Sequence, residues 1–496
     1  MTSAVVVGAG PNGLAGAIHL ARHGVDVQVL EAAETVGGGA RSGELTVPGV
    51  VHDHCSAFHP LAVGSPFWQE VGLESHGLTW KWPEIDCAHP LDDGTAGVLY
   101  QSIEQTAAAL GSDGARWRRA IGDLAAGFDD LAEDLLRPVL NIPRHPIRLA
   151  GFGPRAVLPA TVMARWFRTE QARALFGGAA AHVYTRLDRP LTASLGLMIL
   201  ASGHRYGWPV AEGGSGAITA AAAAALREHG GAIATGVTVA SRSDIPDADI
   251  VLLDLSPAAA CNLYGDVMPA RIRRSYQRYR EGSSAFKVDF AIDGDIPWKN
   301  PECGRAGTVH LGGSFEETAQ AERERAVGWM PERPFVLVGQ QYLADRSRSN
   351  GGTNPIWAYA HVPFGYGGDA TADVIGQIER FAPGFRDRIV ATVSKSTAEL
   401  QAYNPNFVGG DIIGGANDGL QVLLRPRVAI DPYFTGVPGV YLCSQSTPPG
   451  AGVHGLCGYH AARSALRRLR RAKIASHDRP HRGRDRLTAL HRRLRR

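Results

Sequence analysis

The stretch that decides the fold is residues 4–31, AVVVGAGPNGLAGAIHLARHGVDVQVLE. A short apolar run ends in Gly8-Ala9-Gly10-Pro11-Asn12-Gly13, a segment of helical character follows, and a second apolar run ends at Glu31. The order strand, glycine turn, helix, strand and acid is the arrangement that binds a dinucleotide at one edge of a parallel sheet. The sequence therefore predicts a nucleotide-binding βαβ unit at its start.

Each glycine of this turn has a physical role. Gly8 makes the tight turn, Gly10 lets the backbone approach a pyrophosphate, and Gly13 lets the helix pack closely on the strand. The helix N-terminus, at Pro11 and Asn12, offers N–H groups and a positive dipole end to the phosphates.

A second glycine-rich block follows the acid. Glu31, with Ala32 directly after it, is predicted to accept a hydrogen bond from a ribose hydroxyl. Residues 37–39 are three glycines that allow another close backbone approach, and Arg41 is placed to balance pyrophosphate charge. The alternative interpretation of this block is a flexible loop.

Two further blocks lie far along the chain. Residues 440–443 predict a buried strand, which leads into the glycine-rich turn 444–455 and then into a helix. This second turn aims another helix dipole at the site. In the middle of the chain, an Ala-rich helix precedes a strand that is predicted to carry Val239 near the adenine.

In this order, the three blocks resemble the phytoene desaturase-like group of FAD-dependent oxidoreductases, which includes carotenoid ketolases and retinol saturases and is related to the amine oxidases. The resemblance covers nearly the whole chain, and the two terminal blocks are its specific parts. It implies FAD as the cofactor, with the second turn facing the isoalloxazine. It also implies carbon–carbon desaturation, or saturation, of an apolar substrate.

The resemblance is carried over residue by residue. The predicted cofactor-binding residues, which match or border the family's FAD motifs, are Gly8, Gly10, Pro11, Asn12, Gly13, Glu31, Ala32, Gly37, Gly38, Gly39, Arg41, Val239, Gln445, Gly450, Gly452, Val453 and His454. Two places depart from the family pattern. Gly39 stands where many relatives have Arg, and Ser444-Gln445 replaces the usual Gly-Ala. These departures weaken the argument for a carotenoid substrate more than the argument for FAD.

The expected fold class is α/β, a discontinuous Rossmann-type FAD-binding domain with an inserted α+β substrate domain. The FAD-binding domain is predicted to comprise residues 1–75, 207–285 and 415–472, because its motifs lie at both ends and in the middle. Residues 76–206 and 286–414 are predicted to build the substrate domain.

Within the substrate domain, apolar positions at helical spacing predict helices over 104–136 and 161–205. Residues 137–159 are rich in Pro and Arg and predict a loop. Lys287 and Asp289 alternate with apolar residues, which predicts a strand, and an exposed polar face of that strand explains the two residues as well as a functional role does.

Composition narrows the class of protein. The chain has 496 residues, 44% of them apolar and 20% charged, which is typical of a soluble globular protein of two domains. Its six cysteines form no CxxC pair, so neither a redox disulfide nor a zinc site is expected. No signal peptide and no apolar window of spanning length is evident, and a cytoplasmic location is expected.

The C-terminus is strongly basic. Residues 463–496 hold fourteen Arg and Lys against two Asp, and residues 473–496 form an Arg-rich tail. Leu487, Leu490 and Leu494 have helical spacing, so the tail is a candidate for peripheral contact with an anionic membrane. The alternative is a solvated tail. Nucleic-acid binding is not expected, since no aromatic residues are interleaved with the arginines.

Three histidines are the candidate catalytic residues. His454 lies at the presumed start of the last helix, where it serves either the flavin or, alternatively, only as a helix cap. His59 belongs to the histidine-rich segment 51–60, which is predicted to line the flavin pocket, and His361 is predicted to reach the same pocket. No metal is expected, because the histidine spacing has no regular ligand pattern.

The leading hypothesis is an FAD-dependent dehydrogenase or desaturase that transfers hydride between an apolar substrate and flavin N5. A second nucleotide domain is absent from the sequence pattern, so a diffusible acceptor, oxygen or a quinone, is expected to remove the electrons. The alternatives are a flavin amine oxidase and a membrane-associated FAD-containing binding protein.

Overall fold

The computed structural model describes residues 2–477, and its first unit follows from local sequence. Valines fill the first strand, Gly8 at φ 103° ends it, and Pro11 begins the helix at a position where its missing N–H is not needed. The strands are β1 (Ser3–Val7), β2 (Asp26–Leu30), β3 (Ser42–Glu44), β4 (Val51–Asp53), β5 (Trp80–Lys81), β6 (Ile85–Pro90), β7 (Ala96–Leu99), β8 (Val210–Ala211), β9 (Ala232–Ala234), β10 (Ile250–Leu253), β11 (Ser284–Asp293), β12 (Ala306–Leu311), β13 (Val336–Gly339), β14 (Thr353–Val362), β15 (Ile389–Lys395) and β16 (Val440–Leu442).

The α-helices occupy the segments between these strands. They are α1 (Pro11–Ala21), α2 (Pro60–Val63), α3 (Pro66–Val71), α4 (Ile103–Ala109), α5 (Gly114–Trp117), α6 (Asp123–Ala126), α7 (Phe128–Leu135), α8 (Pro146–Ala156), α9 (Ala160–Met163), α10 (Glu170–Ala181), α11 (Thr192–Tyr206), α12 (Gly216–Glu228), α13 (Pro257–Tyr264), α14 (Ala270–Gln277), α15 (Phe315–Ala326), α16 (Thr371–Phe381), α17 (Thr397–Tyr403) and α18 (Leu456–His477).

Five strands form a parallel sheet in the order β16-β10-β1-β2-β9. Only β10 separates the first strand from the last one, because β1 and β16 both pair with it. All five strands run in one direction, so their carboxyl ends share an edge, the edge at which such sheets bind ligands. The α/β fold class with a Rossmann-type sheet is confirmed.

Glycines allow α1 and α18, the helices that follow the N-terminal and C-terminal glycine turns, to cross at close range. A Cβ on Gly458 would lie 1.7 Å from the carbonyl oxygen of Asn12, and a Cβ on Gly16 would lie 3.2 Å from the carbonyl oxygen of Gly458. α1 and α18 therefore pack backbone against backbone. This contact brings the N-terminal turns of both helices to the same edge of the sheet.

A second, mixed sheet has seven strands in the order β15-β11-β14-β13-β12-β6-β7. Its longest pairing joins β11 and β14 over ten residues in antiparallel register. The prediction of an exposed polar face on β11 is wrong, because Lys287 and Asp289 are both buried and paired with each other. His52 of β4 lies against Asp289, and Trp357 of the neighbouring strand β14 lies beside Lys287.

Two other predictions are corrected by the structure. The segment 137–159 is not a loop throughout, because Pro146 occupies the first turn of α8, where proline is compatible with a helix, and Phe152 and Ala156 are buried. The strand after the Ala-rich helix is β9, which ends at Ala234, so Val239 lies in the following loop rather than in a strand.

The predicted domain boundaries remain predictions. β11 begins at Ser284, within the predicted FAD-binding segment 207–285. Among residues 2–477, no helix is both long and apolar enough to cross a bilayer. Residues 478–496, the part of the Arg-rich tail that carries Leu487, Leu490 and Leu494, lie outside the described residues.

Candidate functional site

One cavity of about 1060 Å³ joins the edge of the parallel sheet to the helical layer. Fifteen residues predicted from sequence line it: Gly8, Gly10, Pro11, Asn12, Glu31, Ala32, Gly38, Gly39, Arg41, His59, Val239, Gln445, Gly450, Gly452 and Val453. The structure therefore brings all three sequence blocks to a single space. Their individual roles in binding remain predictions.

The first glycine turn has no room for side chains. A Cβ on Gly8 would lie 3.0 Å from Cβ of Asp254, and a Cβ on Gly10 would lie 2.8 Å from Oδ2 of the same residue. Gly13 is not a lining residue, and a Cβ there would lie 2.0 Å from the carbonyl oxygen of Gly8. Gly13 thus allows α1 to pack on the turn, which is the packing role predicted for it.

Glu31 is held in place by the backbone. Its Oε2 accepts from the N–H of Ala9 at 2.7 Å, and its Oε1 accepts from the N–H of Ala33 at 2.9 Å. The guanidinium of Arg41 lies 3.7 Å from the carboxylate. Carboxylate oxygens have further acceptor sites, so Glu31 remains able to accept a hydrogen bond from a ligand hydroxyl.

The second glycine block is clamped by the helix α17. Tyr403 donates a hydrogen bond to the carbonyl oxygen of Gly38 at 3.0 Å, and the guanidinium of Arg41 stacks on the Tyr403 ring at 4.9 Å. A Cβ on Gly39 would lie 2.9 Å from Cζ of Phe407. Any other residue at position 39 would therefore require the Phe407 ring to move.

The C-terminal turn lines the same cavity as the first one. Gly450 and Gly452, at φ 114° and 138°, place backbone along the cavity in a conformation that other residues rarely adopt. His454 does not line the cavity. Its Nδ1 accepts from the N–H of Leu456 at the start of α18, and its carbonyl oxygen accepts from Ser65. These contacts match the alternative interpretation of His454 as a helix cap, and they give it no contact with the predicted pocket.

The other two candidate histidines differ in position. His59 lines the cavity, with Nε2 2.8 Å from Oγ of Ser215, and burial lowers its pKa to about 4. His361 does not line the cavity. It lies behind the lining residues Tyr184 and Tyr359, and its Nδ1 is 2.7 Å from Glu322. His361 therefore reaches the cavity only through the two tyrosine rings.

His52 and His54 do not assemble a metal site. His52 contacts Thr46 and Asp289, whereas His54 stacks on Tyr403 at 4.7 Å. Among residues 2–477, no group of three or more His, Cys, Asp or Glu side chains is arranged to hold a metal ion.

Several lining residues were missed by sequence reasoning. Tyr184 and His182 follow α10 and line the cavity. No local pattern marks them, because the other walls of the cavity come from distant elements. Asp254 also lines the cavity and could have been found, because it directly follows the apolar strand β10 at the edge where α/β sheets bind ligands.

Asp254 is a buried carboxyl at the start of α1. Its Oδ2 accepts from the N–H of Gly13 at 3.0 Å, and burial raises its pKa to about 7, with Glu31 acting in the same direction. Because the folded-state pKa is above the unfolded one, its contribution to stability is fully present below about pH 4 and is lost as the pH rises through 7.

We therefore expect Asp254→Asn to raise the free energy of unfolding at pH 8 by roughly 1–4 kcal/mol, since the amide is never charged and its oxygen still accepts from Gly13. The gain should fade toward pH 4. Denaturant unfolding across this pH range measures it, with the exposed Asp26→Asn as the matched control. A gain that does not change with pH would contradict the expected ionisation.

The far end of the cavity is aliphatic. Side chains of α8 and α11 form this wall, together with the segment before α8. The lining residues here are Val139, Leu149, Phe152, Val157, Leu191, Leu195, Met198 and Ile199. Asp134 also lines this end, but its two oxygens accept from the N–H groups of Arg144 and His145, each at 2.8 Å. The wall is therefore largely apolar, with Arg137, Asn141 and Ser194 as further polar lining residues from the same segments.

The residues at the sheet edge fit a long dinucleotide such as FAD. Two glycine turns leave backbone exposed to the cavity, and Glu31 lies at the end of β2. Arg41 and the N-terminus of α1 supply positive charge for a diphosphate. These residues would hold the nucleotide, whereas the aliphatic wall lies at the other end of the same space.

Comparison with known proteins agrees with this geometry. The NAD(P)-binding Rossmann-like domain family matches residues 6–70. Pyridine nucleotide-disulfide oxidoreductase domain-containing protein 2 of Rattus norvegicus is 25% identical, over 94% of each chain. Hydroxyneurosporene desaturase of Cereibacter sphaeroides is 31% identical over 51% of this chain and 56% of its own.

A solved structure shares the fold. Cyclohexylamine oxidase from Brevibacterium oxydans superposes with a TM-score of 0.57 at 16% identity, over 95% of this chain and 99% of the oxidase. Three observations indicate the same class of protein. They are the sequence motifs, the position of these motifs at one edge of the sheet, and the relatives that match over nearly the full length of the chain. The chain is an FAD-dependent oxidoreductase that is similar in sequence to a hydroxyneurosporene desaturase and shares the fold of cyclohexylamine oxidase.

Proposed function

We propose that the protein is a dehydrogenase or desaturase that transfers hydride between a largely apolar organic substrate and N5 of FAD. The single observation that carries the proposal is the continuity of the cavity, which runs from the glycine turns to the aliphatic wall of α8 and α11. A substrate held by that wall has direct access to the nucleotide end.

Bound FAD supplies the hydride acceptor, and the protein supplies binding, orientation and the exclusion of water. Leu195, Met198 and Ile199 offer an apolar surface without hydrogen-bond donors in their side chains. His59 is neutral at pH 7, because burial lowers its pKa to about 4, and it can accept a proton at the cavity wall. This role in proton transfer is part of the proposal.

For the second half-reaction, we propose a diffusible electron acceptor, either oxygen or a quinone. Within residues 2–477, the parallel sheet that carries β1 is the one sheet with a glycine turn of the dinucleotide type. All six cysteines are free thiols, and four of them are fully buried. An internal disulfide relay is therefore not part of the proposal.

A flavin amine oxidase is the second candidate, favoured by the aromatic residues of the cavity. Trp357 and Tyr359 meet at right angles, with ring centroids 4.8 Å apart, and Tyr184 lies beside Tyr359. Such rings can hold an amine. Against this candidate, the acidic lining residue at the aliphatic end, Asp134, already accepts two backbone hydrogen bonds.

The test is anaerobic bleaching of the purified holoprotein by a panel of isoprenoid hydrocarbons and a panel of primary and secondary amines. We expect isoprenoids to bleach the flavin and amines not to. Bleaching by amines alone would support the amine oxidase. Tight FAD binding without bleaching by either panel would contradict both and favour a binding protein.

A matched pair of variants links the reaction to the aliphatic wall. Leu195→Asp should lower kcat/KM for the apolar substrate by at least about tenfold, because a carboxylate there must be desolvated when the substrate binds. FAD content should not change, since Leu195 lies on α11, away from the glycine turns. Val327→Asp, at an exposed position, is the control and should match wild type. Equal activity in both variants would place the substrate elsewhere.

A further inference from the structure

The carboxyl group of Asp254 lies inside the first glycine turn. Its Oδ2 is 2.8 Å from the position of a Cβ on Gly10 and 3.2 Å from that of a Cβ on Gly13, and its own Cβ is 3.0 Å from that of a Cβ on Gly8. The N–H of Gly13, in the first turn of α1, donates to Oδ2 at 3.0 Å. A diphosphate that is held by this turn therefore has the side chain of Asp254 as a direct neighbour.

No cation compensates a negative charge on this carboxyl group. Asp254 is buried, and within residues 2–477 it forms no ion pair with an arginine, lysine or histidine. The charged residue that faces it from the end of β2 is Glu31, whose carboxylate lies 3.7 Å from Arg41. An ionised Asp254 would thus set two carboxylates and a diphosphate against the guanidinium of Arg41, and like charges repel strongly in a buried site.

The other titratable neighbours of Asp254 are thiols. Cys443 follows β16 and Cys457 lies in the first turn of α18, and both are buried. Burial raises the pKa of Cys457 to about 12 and that of Cys443 well above its ordinary value, and Asp254 acts in the same direction on both. Thiols with such pKa values are uncharged at neutral pH, so Asp254, Glu31 and Arg41 set the electrostatic balance at this turn.

The two protonation states of Asp254 offer different groups to a ligand. Burial raises the pKa of this carboxyl group to about 7, with the charge of Glu31 acting in the same direction and the hydrogen bond from Gly13 against it. Because Oδ2 accepts from Gly13, the proton of the neutral form belongs on Oδ1, which has no hydrogen-bond partner in the described part of the chain. The neutral side chain therefore adds an O–H donor to the cavity wall, whereas the ionised one adds a negative charge.

We propose that Asp254 is a further FAD-binding residue that acts in its protonated form, so that the protein takes up a proton from the solvent when FAD binds. FAD is anionic at its diphosphate, and a neutral neighbour avoids the repulsion that a carboxylate would cause. A ligand that prefers the protonated protein raises the pKa of the group concerned, and its own affinity falls as the pH rises above the pKa of the free protein. This proposal depends on FAD at the glycine turn and does not depend on hydride transfer.

The experiment follows the release of FAD from diluted holoprotein at a series of pH values, with the fluorescence of free FAD as the readout. We expect the dissociation constant of wild type to rise by at least about tenfold between about pH 6 and about pH 9, since linkage allows up to roughly tenfold for each pH unit above the pKa of the free protein. Asp254→Asn should show little change over this range, because the amide is never charged and its oxygen still accepts from Gly13. The exposed Asp26→Asn is the matched control and should follow wild type.

Infrared spectroscopy of the holoprotein supplies a second measurement. At about pH 8, wild type should show the C=O stretch of a protonated carboxyl group that is missing from Asp254→Asn, because bound FAD raises the pKa of Asp254.

A dissociation constant of wild type that does not change with pH would overturn the proposal. So would the same pH dependence in Asp254→Asn, or loss of FAD from folded Asp254→Asn at the acid end of the range. The absence of the protonated carboxyl band from the wild-type holoprotein would also contradict it. None of these results depends on which substrate bleaches the flavin, so the proposed function is tested separately.

Discussion

Replacing Gly10 with valine is expected to abolish FAD retention. A Cβ at this position would already lie 2.8 Å from Oδ2 of Asp254, and the two γ-methyl groups of valine would extend into the cavity beside the turn. The side chain would thus occupy the space where the backbone approaches the pyrophosphate. We expect purified Gly10→Val to keep less than roughly a tenth of the wild-type FAD, as expected from the loss of a close backbone contact with a phosphate.

The measurement is the flavin absorbance per protein, with circular dichroism to show that the fold is retained. Gly376→Val is the matched control, because Gly376 lies in α16 and a Cβ there meets no atom within 4 Å. It should bind FAD like wild type. If the Gly10 variant keeps the wild-type FAD content, the dinucleotide does not bind at this turn, and the site described above is contradicted.

Replacing Arg348 with methionine is expected to cause the largest loss of stability. Arg348 is 1% exposed and pairs with the fully buried Asp53 at 2.6 Å, and its Nη2 donates to the carbonyl oxygen of Ala211. Asp53 also accepts from Ser42 and from the N–H of Ser215. Removal of the Arg348 guanidinium leaves the buried charge of Asp53 without its partner, and such a loss typically lowers the free energy of unfolding by about 3–5 kcal/mol.

This pair has a pH dependence of known sign. Burial by itself raises the pKa of Asp53, but Arg348 and the hydrogen bonds outweigh it and hold the pKa below its ordinary value. The contribution to stability is therefore present above the unfolded pKa of about 4 and is lost as the pH falls through the lowered folded value. The deficit of Arg348→Met should be largest near neutral pH and smaller in acid.

Thermal and denaturant unfolding at neutral and acid pH provide the measurement. Arg118→Met is the matched control, since Arg118 forms an exposed ion pair with Glu104 and such pairs contribute little. The control should unfold at nearly the wild-type temperature. A similar stability of both variants would show that the buried network does not hold β4 and the segment around Arg348 together.

The local sequence determined the parts of the fold that depend on neighbouring residues. The βαβ unit was predicted from Gly8, Gly10 and Gly13, because only glycine allows the turn and the close contacts that the structure shows there. The same reasoning found the C-terminal turn at Gly450 and Gly452, whose left-handed conformations exclude most other residues. Backbone conformation is a local property, so a single sequence can reveal it.

Tertiary structure alone decided what each strand and histidine faces. Lys287 and Asp289 alternate with apolar residues as on an exposed strand, but both are buried, with His52 of β4 against Asp289 and the Trp357 ring beside Lys287. His361 lies close in space to the cavity, yet Tyr184 and Tyr359 stand between them, and His454 caps a helix. Burial depends on elements that are distant in sequence, so no pattern within one segment contains it.

The cavity also combines features that the sequence predicts with features that only the tertiary structure decides. The sequence by itself predicted that three glycine-containing blocks serve one nucleotide, because each block has its own local signature. Only the tertiary structure decided that Asp254 lies at the start of α1 and that an aliphatic wall from α8 and α11 continues the same space to the surface. The physical reason is that a cavity is formed by side chains that meet through packing, and packing partners are set by the fold as a whole rather than by sequence neighbours.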